Sequence, residues 1–160
     1  MNKLYLQLEE LSSNIPQEDI LIIDVSTSNV GWHIEHSLLT INKIIEAIEK
    51  SNPINYKWRL KLARILVFTL NKIPRGRGKS PEIVVPKIFN NETLKEHIEI
   101  TKLRIQDLKN IGSEKYFNHP YFGNLKLKDA VKFLEIHTNH HLEIIKDIIA
   151  IHKQQRTANK

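Results

Sequence analysis

LKLKDAVKFLEIHTNHHLEIIKDIIAIH, residues 125 to 152, contains neither proline nor glycine and reads as one long amphipathic helix. Leu127, Ala130, Leu134, His137, Thr138, His141, Ile145 and Ile148 recur at three- and four-residue steps, so they share one face. Two histidines therefore lie in an apolar stripe one turn apart, within reach of a single metal ion. His140 lies roughly 100° around the helix from His141, off that stripe. A lone histidine on an apolar face is ordinarily a core residue with a satisfied hydrogen bond. Two at i and i+4 reverse that expectation, because two adjacent buried imidazoles need two separate partners whereas one metal serves both. The pair alone is an incomplete site, since a zinc-like ion takes a third protein ligand and a catalytic site keeps one position open.

A third ligand has to come from the rest of the chain. Cysteine is absent, so disulfides and thiolate sites are excluded and any metal must be held by His, Asp, Glu or carbonyl oxygen. Residues 2–14 carry a short first helix that ends before Pro16, and the apolar run 20–23 is too short for one. Ser26, Thr27, Ser28 and Asn29 are N-cap candidates for a helix over 30–50. Its main stripe is Val30, Ile34, Leu38, Ile41, Ile45 and Ile48, with a second face at Trp32, His36, Leu39 and Ala47, so it reads as a helix sandwiched between neighbours. His33 flanks the main stripe and His36 lies on the second face; periodicity leaves open which is the ligand.

Residues 55–73 read as another helix, with Trp58, Leu62, Ile65, Leu66 and Thr69 in register and Lys57, Arg59, Lys61 and Arg64 on a solvated face. Residues 74–87 contain three prolines and two glycines and read as a long irregular loop. Its Arg75–Lys79 piece lacks the phosphate-loop pattern and reads as a plain flexible loop. Asn90 or Asn91 caps a helix to about Ile111 with Leu94, Ile98, Thr101, Ile105 and Leu108 as its stripe; Gly112 stops it and His97 flanks the stripe. The aromatic, turn-rich segment 113–124 is expected to fold over one end of the bundle, with His119 as a loop residue.

With 160 residues, 41% hydrophobic and 26% charged, the chain has the size and balance of a single globular domain, the last eight or so residues reading as a disordered tail. The N-terminus lacks an apolar signal region and no run is long enough to span a membrane, so a cytoplasmic protein without a membrane partner is expected. The net charge of +6 is spread over the chain, which argues against nucleic acid as a partner.

Taken together, these pieces resemble the DinB/YfiT-like superfamily of metal-binding helical bundles, most closely a small, mostly uncharacterised branch of it. The resemblance rests on SNVGWHIEHSLLTI (28–41), with His36 six residues after Val30, and on HPYFGNLKLKDAVKFLEIHTNHHL (119–142), with its paired His137 and His141 followed by Leu142. The PRGRGKSPEIVVP loop (74–86) is similar to a connection in the same branch. The resemblance implies an all-α, DinB-like four-helix bundle built from helices near 2–14, 29–50, 91–111 and 126–152, with 55–73 as an inserted helix. It implies His36, His137 and His141 as ligands of a divalent metal (Zn, Ni or Fe) and favours His36 over His33. It implies a metal-dependent hydrolase or a transferase using a low-molecular-weight thiol. His33, Glu35, His140 and His97 are the candidates for supporting or acid–base roles. Many members carry Gln or Arg soon after the last His, where this chain has Glu143 and Ile144, so no substrate contact carries over. The first helix is short for the group, which leads to the expectation of a homodimer. The competing reading is a non-catalytic bundle that binds metal structurally or binds a partner.

Overall fold

A computed structural model describes residues 2–76 and 80–158. Five helices and one strand pair follow in chain order: α1 (Asn2–Ser13), α2 (Val30–Lys50), α3 (Leu62–Leu70), α4 (Asn91–Asp107), β1 (Tyr116–His119), β2 (Gly123–Lys126) and α5 (Leu127–Ala158). The protein is thus mostly helical, and the four long helices close a ring: α1 packs on α4 and α5, and α2 packs on the same two. Each helix brings an apolar face to the centre. Leu4, Leu8 and Leu11 of α1 meet Ile34, Leu38, Ile41 and Ile45 of α2, Leu94 and Ile98 of α4, and Leu134, Ile145 and Ile148 of α5 in one buried cluster.

The start of α2 positions the site. Asn29 holds an extended backbone, and its Oδ1 accepts the Trp32 N–H at 2.9 Å, which satisfies one of the helix's orphan donors. Gly31 is required by packing: a Cβ there would lie 2.5 Å from Phe89 Cε2. Replacing the cap, Asn29→Ala, is expected to lower stability by about 1 kcal/mol in urea unfolding. An unchanged midpoint would show that the cap is dispensable.

Three sequence expectations are corrected. Residues 55–73 are not one helix. A 3-10 turn at Pro53–Asn55 is followed by extended chain, and only Leu62–Leu70 is α-helical. The register face is solvent-exposed at Trp58, Leu62, Ile65 and Leu66; Val67 is the buried residue of α3. The segment 56–61 is instead held extended beside the hairpin: Asn124 Nδ2 donates to the Lys57 carbonyl at 3.1 Å, and Tyr56 packs edge-on against Tyr116. No side chain caps α3 at Lys61, and a short helix without a cap or a broad buried face does not extend. Among its basic residues, Arg64 leaves the solvated face to pair with Asp129 at 2.5 Å.

The turn-rich segment 113–124 contributes an antiparallel pair, β1 with β2, in which Phe117 faces Leu125 and His119 faces Gly123. The small sheet is an addition to the all-α reading. Gly123 closes the reversal with φ 71°, a conformation that suits glycine. Third, α5 runs on to Ala158, so residues 153–158 of the expected tail are helical, while 159 and 160 lie outside the described residues. The Arg75–Lys79 piece lies partly outside them too; Arg75 itself pairs with Asp147 at 2.7 Å. No helix among the described residues is long and apolar enough to cross a membrane.

Candidate metal centre

Helix α2 presents His33 and His36 in its first two turns, and α5 presents His137 and His141 one turn apart, with the two helices packed side by side. His36, His137 and His141 each offer a ligand atom, and these atoms lie within 4.8 Å of one another. The ring centroids are 4.7 Å apart for His36–His141 and for His137–His141, and 5.2 Å for His36–His137. Trp32 stacks on His36 with centroids 4.8 Å apart and planes 11° from parallel, which fixes that ring from behind.

Hydrogen bonds aim two of the rings. His36 Nδ1–H donates to the Val84 carbonyl at 2.8 Å, which leaves Nε2 with its lone pair. His141 Nδ1 is 2.9 Å from His33 Nδ1, and His33 Nε2 is 2.9 Å from Ser26 Oγ. Ser26 Oγ already accepts the Ser28 N–H. Where His33 Nε2–H also donates to it, His33 Nδ1 accepts from His141 Nδ1–H, and His141 Nε2 is left as a lone-pair donor. Relays of this kind orient metal-binding imidazoles and set their tautomer. His137 Nδ1 is buried and has no hydrogen-bond partner among the described residues. An orphaned buried nitrogen costs about 1–3 kcal/mol, and a cation or ligand that engages it removes the cost. The residues present therefore fit a divalent ion.

Burial also keeps the group neutral, as ligation requires. It holds the His137 and His141 imidazoles well below the usual histidine range, with neighbouring histidines adding to the effect. His36 is lowered by burial against the opposing pull of the Val84 carbonyl. His33 is pushed down to about 3, chiefly by burial.

The supporting candidates separate. His33 touches His141. His140 lies on the cavity beside the group, bonded to the Ile73 backbone and lowered mainly by burial. Glu35 and His97 pair with each other across α2 and α4 at 2.9 Å and do not line this cavity. The pair ties two helices together, because Glu35 lies on the side of α2 that faces α4.

Sequence reasoning missed Val84, whose carbonyl reaches His36 from the irregular loop 48 residues away and carries no side-chain signal. It read Ser26 only as a cap candidate; Asn29 takes the cap and leaves Ser26 to His33. It placed His119 in a loop, whereas His119 lies in β1 and stacks on Phe122 with centroids 4.2 Å apart, forming a wall of the cavity. No family model, no curated protein and no solved structure matches the chain.

Proposed function

We propose that the protein is a metal-dependent enzyme of the DinB-like type, with His36, His137 and His141 holding Zn²⁺, Ni²⁺ or Fe²⁺. The observation that carries this reading is the convergence of three neutral imidazoles, two buried and the third partly open to a cavity, two of them already aimed by hydrogen bonds. Three nitrogen ligands leave a coordination position for an exchangeable group, the arrangement of catalytic rather than structural zinc sites. A bound divalent ion supplies Lewis acidity, which suits hydrolysis of a small molecule or attack by a low-molecular-weight thiol. The protein's own part is to keep the rings neutral, to fix their tautomers through Val84 and through the His33–Ser26 relay, and to shield the centre from bulk water.

The test is turnover by the metal-loaded protein. Nitrophenyl esters and thiol conjugation to chlorodinitrobenzene are to be assayed beside a His36→Ala variant. Turnover that needs the metal and His36 is expected. A metal found fully ligated by protein in X-ray absorption, with no turnover, would sink the enzyme reading. His33→Ala is expected to weaken metal affinity by about 10- to 100-fold while leaving the three ligands in place, measured by competition with a chromophoric chelator. Equal affinity would show that the relay has no part in binding.

A specific observation also favours a partner-binding reading. Ile54, Trp58, Leu60, Leu62, Leu66 and Leu70 are all exposed along one segment, and contiguous exposed apolar surface marks interaction sites. A second copy of the chain seated there would give the homodimer, and light scattering at one chain mass would exclude it.

A further inference from the structure

The cavity above the three histidines has a volume of about 680 Å³, within the range of sites for small organic ligands. Its walls come from four parts of the chain. Ile44 stands on α2, Ile83 and Val84 on the irregular loop, Phe117 and Phe122 on the hairpin, and Phe133 on α5. Phe122 packs edge-on against Phe133, and His119 stacks on Phe122, so the aromatic wall is held from behind. His119 is itself kept neutral, pushed down to about 4 by burial. The charged side chains lining the cavity among the described residues are Lys43, Glu46 and Lys50, and Glu46 is held by both lysines, at 3.1 and 2.5 Å. Away from the three histidines the walls are mainly apolar, and a charge held against them would be costly.

Besides His137 Nδ1, a second buried polar group of the lining is spare. Thr40 lies four residues after His36, on the same side of α2, and lines the cavity. Its Oγ1 is buried and has no hydrogen-bond partner among the described residues, although a helical threonine can ordinarily bond back to the carbonyl four residues before it. A buried hydroxyl left in this way is a donor and acceptor ready for a ligand.

We infer that the cavity takes a compound with an uncharged aryl or alkyl body, whose polar head is oriented by the Thr40 hydroxyl beside His36, His137 and His141. The inference names the substrate class for the metal centre proposed above and rests on that reading for the head group. The apolar body of the ligand depends on the walls alone. The two parts are therefore tested separately.

The first experiment uses metal-free, full-length protein and the neutral fluorophore N-phenyl-1-naphthylamine. Saturable enhancement is expected in the parent chain, weakened at least tenfold by Ile83→Asp and kept by Leu62→Asp. Both substitutions replace exposed side chains, so neither threatens the core. Absence of enhancement, or loss with Leu62→Asp and not with Ile83→Asp, overturns the inference whatever the metal does. The second experiment uses Zn²⁺-loaded protein and compares benzohydroxamate with acetohydroxamate by calorimetry. The phenyl compound is expected to bind at least tenfold more tightly. Thr40→Val is expected to weaken both several-fold, and Ile83→Asp to bring their ratio toward one. Equal affinities on metal-loaded protein overturn the substrate class and leave the metal centre standing. Failure to bind Zn²⁺ overturns the metal centre and the placement of the head group, while the fluorophore still decides the cavity.

Discussion

Purified His137→Ala, His141→Ala protein, made without a histidine tag, is expected to carry no divalent metal, whereas the parent chain carries about one ion per chain by elemental analysis. Both substitutions remove rings from the same turn-spaced face of α5, and a single remaining imidazole at His36 does not hold a divalent ion against water. The double variant should still fold. His137 is partly open to the cavity, and the apolar contacts of α5 at Leu134, Leu142, Ile145 and Ile148 remain. Circular dichroism checks the fold alongside. If the parent chain stays metal-free after incubation with Zn²⁺, Ni²⁺ or Fe²⁺, the three-histidine centre is not a metal site. The function would then be sought in the cavity and the exposed 54–70 segment.

The second large effect is acid destabilisation of the metal-free protein. Burial lowers the folded-state pKa of His33 to about 3, and of His137 and His141 well below the usual value, while the unfolded chain titrates near 6.5. Below pH 6.5 the unfolded state therefore binds more protons than the folded one, and stability falls as pH falls. Above pH 6.5 both states are neutral at these groups and the contribution is flat. For His33 alone the loss reaches about 2 kcal/mol by pH 5, and the other buried histidines act in the same direction. Against a typical total of about 5–15 kcal/mol this is a substantial loss, and it falls before most carboxylates titrate. Urea midpoints at pH 7.5, 6.0 and 5.0 measure it. A constant midpoint would mean that the histidines are not buried as neutral groups. Saturating Zn²⁺ at pH 7.5 is expected to raise the midpoint, because the ion binds only the folded arrangement.

Much of this was legible in the chain. Uninterrupted three- and four-residue spacing from 127 to 148 specifies a helix and puts His137 and His141 on one face, and the structure keeps both in α5. The stripes of α2 and α4 are buried where periodicity puts them, with Ile34, Leu38, Ile41, Leu94 and Ile98 inaccessible to solvent. Helical spacing is local, and sequence reports it well where one face is apolar and the other polar. The same logic failed at 55–73, where apolar residues occur at helical spacing and yet no partner surface covers them. Propensity without burial does not hold a long helix.

What the sequence by itself determined is the set of long helices and the pairing of two histidines on the last of them. Both follow from the fixed geometry of 3.6 residues per turn. Only the tertiary structure decided which second-helix histidine faces that pair. His33 and His36 are three residues apart, so both fall toward α5, and the choice lies in what each ring meets: Ser26 and His141 for His33, the Val84 carbonyl and the other two rings for His36. Ser26 comes from a loop before α2 and Val84 from a loop before α4. Their approach is set by how the chain closes over the bundle, a long-range arrangement that no local spacing encodes.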